Sequence, residues 1–439
     1  MSQAAQVPFG LAPAGRYDDP LMTSANHPWT DSMSEEQFGF LRDLLAAPSP
    51  IGMEGAMTCG VLEPRLRELL PDSWGVHRFR GNAGLILDSA PGDDDKFKVM
   101  VIGHADQIRM QVRSVGADGK IWINSESFLP MTLIGHEVRL FSEDPENAGA
   151  YRILEGGTIE ALGAIHFAGP ELRSGRKGIK AEQLFLELQM HGKNRKKQVE
   201  RLGIRPGDPI LLKRPIRRGF SPDSYYGAYL DNGLGCYVAA EAARLLAESG
   251  EPKNVRYLAA FASHEEIGRM GSRVMAGVYR PDAVIAVDVA HDLDAAPGIG
   301  DKRMEPVKMG AGCTLAFGSV CSAQLNSMIL GAARDSDIPV QAKSVGRDTG
   351  TDAMAAVFAG IDAAVTSVGV PIRNMHTISE TGHTGDLLAA THLVTEAIRA
   401  MDAANGGTGM TGDDLRTGHP RLDQAEPLGW QAGDDDSDD

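Results

Sequence analysis

Four apolar runs constrain this chain most: 97-FKVMVIGH-104, 255-VRYLAAFAS-263, 283-AVIAVDVA-290 and 363-AAVTSVGV-370. Each has the length of a strand and lacks the apolar–polar alternation of a strand with one wet face. Such runs read as strands buried on both sides. Segments of helical character lie between them. They are 34-SEEQFGFLRDLLAA-47, with a Ser cap and an acidic first turn, the Ala- and Leu-rich 233-GLGCYVAAEAARLLAES-249, and helix-like 351-TDAMAAVFAG-360. Strands alternating with helices predict an α/β fold, a mostly parallel sheet sandwiched by helices.

The middle of the chain has another texture. Short strand-like pieces, 119-GKIWINS-125, 134-IGHEVRLFSED-144, 158-TIEALGAIHFAG-169 and 184-LFLELQM-190, are broken by Gly, Pro and charged turns and lead to 206-PGDPILLKRPI-216. This predicts a small, mainly β domain over 110–211, inserted into an α/β body formed by 31–109 and 212–404. Residues 1–30 are rich in Pro, Gly and Ala without a period, and are expected to be a flexible arm. Residues 405–439 are rich in Gly and Asp, and are expected to be a disordered acidic tail. The formal net charge of −16 argues against nucleic acid and anionic membranes as partners. There is no apolar run of membrane-spanning length and no basic start followed by an apolar core, so the cytoplasm is the expected location. Cys59, Cys236, Cys313 and Cys321 have no CxxC spacing and are expected to be free thiols.

In open α/β sheets ligands bind beyond the carboxyl ends of the strands. Here those ends carry His104 and Asp106, Glu265 and Glu266, Asp288, and His376, while Asp231 precedes a helix. Imidazoles mixed with carboxylates suit borderline divalent metals such as zinc or cobalt. Two cations about 3.5–4 Å apart need one carboxylate to bridge them. Adjacent glutamates at a strand end, where the chain turns, can reach one cavity from different directions. One can ligate metal while the other takes a proton from water. Each residue also has an ordinary structural reading. A lone His at a strand end is commonly a hydrogen-bonded structural group. Asp231 could cap its helix, and the glutamates could form a solvated turn. Asp288 is harder to dismiss, because an unpaired carboxylate after an apolar run is costly.

The order of 49-SPIGMEG-55, 103-GHADQI-108, 230-LDNGLGC-236, 264-HEEIG-268, 287-VDVAHDLDAAPG-298, 350-GTDA-353 and 371-PIRNMHTISE-380 resembles the tetrahedral-aminopeptidase family, metallopeptidase family 42 of clan MH, which also holds glutamyl aminopeptidases. The resemblance covers about 34–403. It implies that His104 ligates one metal and Asp106 orients its ring. Asp231 bridges, Glu265 is the general base, Glu266 and Asp288 ligate separate metals, and His376 ligates the metal not held by His104. It further implies a cis peptide at Asp231–Asn232, two divalent ions per subunit (Zn, Co or Mn), an inserted domain that serves oligomerisation, and a homo-oligomer, often of twelve subunits. Three features depart from or add to the pattern. Gln107 stands where the family has Glu, Arg109 lies beyond it, and His264, His291 and His383 are spare imidazoles near the site. The expected activity is removal of N-terminal residues from peptides by metal-activated water. The alternatives are a metal-dependent hydrolase of a small N-acyl or aminoacyl metabolite, a non-catalytic assembly or binding protein on the same fold, and a sugar hydrolase using the paired carboxylates.

Overall fold

The four apolar runs lie side by side at the centre of an 11-stranded sheet. The structure is a computed structural model that describes residues 27–417 apart from 82–83, 126, 164, 297–305 and 409. Strands are numbered in chain order. The sheet order is β1 (Gly75–Arg78), β2 (Gly84–Asp88), β12 (Val255–Ala262), β3 (Phe97–His104), β13 (Ala283–His291), β16 (Ala364–Arg373), β17 (Glu380–His383), β11 (Ser224–Gly227) and β10 (Arg217–Arg218). β14 (Cys313–Gly318) pairs with β16, and β15 (Val340–Val345) pairs with β14. The central pairs β12/β3, β3/β13 and β13/β16 are parallel, and the flanking strands add antiparallel pairs. Ala262 pairs with His104, so β3 and β12 end together.

The two-residue strand period sorts side chains between the faces. Val99, Val101, Tyr257 and Phe261 face one way, among Leu41 and Leu44 of helix α1 (Glu35–Ala46), Tyr237 of α2 (Leu230–Ser249) and Leu393 of α4 (Thr384–Thr408). Met100, Ile102, Leu258 and Ala260 face the other, against Met275 and Ala276 of α3 (Met270–Tyr279). Burial of each large apolar side chain is worth about 1.5–3 kcal/mol. Both faces are thus committed, and polar chemistry is left only the strand ends. α1 begins at Ser34, whose hydroxyl accepts from Gln37 N while the Gln37 side chain accepts from Ser34 N.

A second sheet closes on itself as a six-stranded barrel in the order β4 (Met110–Val115), β5 (Ile121–Asn124), β8 (Leu184–Glu187), β7 (Tyr151–Ala161), β6 (Glu137–Glu143) and β9 (Pro209–Leu212). The barrel has its own apolar centre, including Ile121, Leu140, Ile159 and Leu186. Closure removes exposed sheet edges.

Three expectations need correction. Residues 351–360 do not form one helix: a 3₁₀ turn over Asp352–Met354 leads to a single helical turn, Ala355–Phe358, which stops before Gly360 at φ 77°. The chain does not lose structure at 405. α4 runs on to Thr408 and a short helix, α5, spans Gly412–Thr417. Leu415 is buried there, and its carbonyl accepts from Ser322 Oγ at 2.9 Å. The end of the expected arm is also placed, since Trp29 packs edge-on to His392. Residues 1–26 of that arm and 418–439 of the tail lie outside the described residues. All four cysteines are free. No described helix is long and apolar enough to cross a membrane.

Candidate metal centre

β3 ends at His104 and β12 at Ala262, and the chain after Ala262 turns back over the strand ends. A single carboxylate, on fully buried Asp106, fixes that turn. Its Oδ1 accepts from Glu265 N at 3.1 Å and its Oδ2 from Glu266 N at 3.2 Å. The adjacent glutamates are therefore held by neighbouring backbone groups, and both side chains reach one cavity. The expected contact of Asp106 with His104 is present in altered form. Nδ1 of His104 is 3.1 Å from the Asp106 carbonyl oxygen and 3.4 Å from its Oδ1.

Asp231 reaches the same place through a close backbone approach. A Cβ on Gly103 would stand 2.3 Å from the carbonyl carbon of Gly235, and one on Gly235 would stand 2.3 Å from Val287 O. Glycine at both positions lets α2 press against β3 and β13. The Asn232 side chain accepts from Gly235 N at 2.7 Å and donates to Val287 O at 2.8 Å. Asn232 thus caps the helix, and the Asp231 carboxylate is free for other work. The Asp231–Asn232 peptide is cis.

The two Asp231 oxygens face different histidines. Oδ1 is 3.1 Å from His104 Nε2, and Oδ2 is 3.1 Å from His376 Nε2. Asp288 Oδ1 lies 3.9 Å from His104 Nε2, and Glu266 Oε1 lies 3.3 Å from His376 Nε2. Glu265 Oε2 is 3.9 Å from His104 Nε2, and its Oε1 is 3.4 Å from Arg269 Nε. Every residue singled out from the sequence (His104, Asp106, Asp231, Glu265, Glu266, Asp288, His376) thus lies in this cluster.

The electrostatics is that of crowded buried acids. Burial, then the charges of Asp352, Asp231 and Glu266, push Glu265 up to about 8, with His104 offsetting part of this. Burial and the Asp231 charge raise Asp288 well above the ordinary carboxylate range, and burial raises Glu266. Burial opposes ionisation of Asp231, but the two imidazoles outweigh it and hold the pKa below the ordinary value. Burial also disfavours the imidazolium of His376, but Asp231 and Glu266 outweigh it and raise the group to about 11.

A divalent cation fits this set. Four carboxylates face two imidazoles, so the buried charge does not balance without cations or protons. Oδ1 of Asp231 and Oε1 of Glu266 are buried and make no hydrogen bond, although each lies close to an imidazole nitrogen. Ligand atoms of His104, Asp231 and Glu266 all fall within 4.8 Å of one another. Buried, unbonded oxygens converging on imidazole nitrogens are donor atoms in search of a cation.

The cluster opens on a cavity of about 250 Å³ that also includes His291, Lys343, Thr349 and Met375. His291 is therefore at the site. His383 is not among the lining residues, and its Nδ1 accepts from Gly385 N at 3.1 Å. His264 Nδ1 sits 3.1 Å from Ser263 Oγ. Gln107 does not face the cavity: its Oε1 accepts from Ser49 N at 3.0 Å, bracing the 49-SPIG-52 segment. Arg109 lines a different cavity, with Ile51, Gln111, Asn124 and Ser127. Sequence reading passed over two buried acids. Asp352 accepts from Ser272 Oγ at 2.5 Å, and burial pushes it up to about 6. Glu380, also buried, accepts from Leu230 N and His376 N. Both lie inside quoted motifs, but only Asp352, followed by apolar 353-AMAAVF-358, carried a clue in the sequence.

A sheet presenting imidazoles and carboxylates at its strand ends is the frame of a metal-dependent hydrolase. The family model of the M42 glutamyl aminopeptidases matches residues 84–393. The chain belongs to this metallopeptidase family and is a hydrolase of the aminopeptidase class. It is 28% identical over 313 residues to the lysyl aminopeptidase of Pyrococcus furiosus, covering 70% of this chain and 83% of that one. It is 24% identical to the glutamyl aminopeptidase of Lactococcus lactis, covering 84% and 97%. Among solved structures, the TET aminopeptidase of Thaumarchaeota archaeon SCGC AB-539-E09 superposes with a TM-score of 0.71 at 21% identity, over 83% of this chain and 96% of that one. The TET1 peptidase of Pyrococcus horikoshii, described as assembling into a tetrahedron or a large octahedral shell, gives 0.64 at 21% identity, over 82% and 98%.

Proposed function

We propose that the protein removes N-terminal residues from peptides with two divalent cations (zinc, cobalt or manganese) held by His104, Asp231, Glu266, Asp288 and His376. One observation carries this reading: the two oxygens of Asp231 face two different histidines, as a bridging carboxylate requires. Asp288 falls on the His104 side and Glu266 on the His376 side. His104 with Asp288 would hold one cation and His376 with Glu266 the other, with Asp231 serving both. Bound there, such ions supply Lewis acidity, polarising the scissile carbonyl and making water acidic at neutral pH.

Glu265 is outside that set and serves as the base. It accepts a proton from the attacking water and passes it to the amide nitrogen as the amine leaves. In the metal-free protein, burial and the neighbouring acids raise its affinity for a proton. Asp106 keeps Glu265 and Glu266 in place through their backbone N–H groups. The substrate's free α-amine would bind a metal or a carboxylate of the cavity, which would limit cleavage to the first residue. Gln107 and Arg109, the two departures nearest the first strand end, do not line this cavity.

We further infer a homo-oligomer that uses the barrel as its contact module. The assembling relative supports this, as do Met131 and Phe167 in the insertion, 78% and 85% exposed.

The test is hydrolysis of matched free-amine and N-blocked aminoacyl substrates after chelation and after adding back zinc, cobalt or manganese. The expected result is activity that vanishes with chelator, returns with metal and requires the free amine. Turnover of blocked substrates alone moves the assignment to an acyl-metabolite hydrolase. Turnover indifferent to chelator overturns the metal reading.

A further inference from the structure

We propose that Glu380 is a positioning residue: its buried carboxylate ties the backbone of Asp231 to that of His376 and so sets the spacing between them. This rests on the two-cation reading above. Glu380 opens β17 and is 2% exposed. Its Oε2 accepts from Leu230 N at 2.6 Å and from Asp231 N at 3.4 Å, and its Oε1 accepts from His376 N at 2.8 Å. The two oxygens of one side chain thus hold segments about 150 residues apart in sequence. Sheet register delivers it there. Glu380 pairs with Gly227, the last residue of β11, three residues before Leu230.

Ordinary packing does not account for an acid in this place. Among the described residues Glu380 forms no ion pair. A buried carboxylate served by backbone N–H groups alone is costly to keep. The groups it serves are those of the residue whose two oxygens face both histidines and of one of those histidines. The logic matches that of Asp106, which holds Glu265 and Glu266 by their N–H groups. Neither acid lines the cavity, and each holds a pair of functional residues by backbone N–H groups.

The test is cobalt(II) titration of the full-length metal-free protein, followed by calorimetry and visible absorption. The step lost in His376→Ala identifies the ion on that side. In Glu380→Gln one oxygen remains, but the new amide group faces a backbone N–H. The expected result is an affinity about 10- to 100-fold weaker for the His376-side ion, with an altered visible band, while the other ion stays within about threefold of wild type. Glu380→Asp keeps the charge on a shorter arm and should fall between the two. If the Gln variant does not fold, Glu380→Asp is read by the same criteria. Both steps within about threefold of wild type overturn the proposal. So does equal weakening of both steps with a lowered Tm of the metal-free protein, which marks a general structural role. A wild type that takes up only one ion overturns the two-cation reading and this inference with it. Two ions in the wild type and an unaffected variant overturn this inference alone.

Discussion

Asp106 Oδ2 accepts the backbone N–H of Glu266 at 3.2 Å, across 160 residues of sequence. Oδ1 of the same group accepts from Glu265. One carboxylate therefore decides where two neighbouring side chains leave the backbone. In Asp106→Asn an amide group meets one of these N–H groups, and the turn must shift. We expect kcat to fall about 10- to 100-fold, measured by steady-state kinetics at saturating metal.

Glu265→Gln removes the proton acceptor and leaves the five proposed ligands untouched. Turnover should fall by about two to four orders of magnitude, while metal content by elemental analysis and Tm stay near wild type. Activity within about tenfold of wild type would discard the base assignment.

Asp231→Asn replaces one of two equivalent oxygens with a nitrogen that ligates poorly. Because Oδ1 and Oδ2 face different imidazoles, uptake of both ions should weaken. Calorimetry that shows two ions at wild-type strength would rule out the bridge.

Ion uptake should depend on pH with a definite sign. Burial raises Glu266 and Asp288, and Asp231 with Glu266 holds His376 up at about 11 despite its burial. These groups are raised in the metal-free protein, so they carry protons there that ligand groups must give up. Affinity should therefore fall as pH falls, by about tenfold or more between pH 8 and pH 6. Titrations in two buffers of different ionisation enthalpy should show net proton release. Uptake without proton release, and with affinity flat over that range, would contradict these shifts.

Gly103→Ala tests the close approach that brings Asp231 to His104. The added Cβ would meet backbone atoms of Gly235 and Cys236 at 2.3 and 2.5 Å, and backbone cannot swing aside. We expect a loss of about 1–3 kcal/mol or more in stability, with weaker metal uptake, read by denaturant unfolding and calorimetry.

The sheet was legible because its central strands are apolar on both faces, and the same property made His104, Glu265, Glu266 and Asp288 stand out at their ends. Pairing within the site was not legible. That Glu266 goes with His376 and Asp288 with His104 depends on sheet order and on where a turn points. Glu380 left no signature because its partners are backbone N–H groups, which every residue but proline carries. Arg109 looked close to the cleft because it follows Asp106 by three positions, but the chain there already leads into the barrel. Short-range pattern also failed at 351–360, where helical composition was cut off by Gly360, and near 415, where buried Leu415 lies in a segment of disordered-looking composition.

The barrel is spliced into the chain between His104 and Asp231, and the last of the proposed ligands is His376. During synthesis a ribosome releases His104 early, then the whole barrel, and only much later the segment that carries His376. No partly made chain holds the full set of donors. A chain still on the ribosome would therefore lack one of the proposed donors until nearly the whole sheet has been laid down.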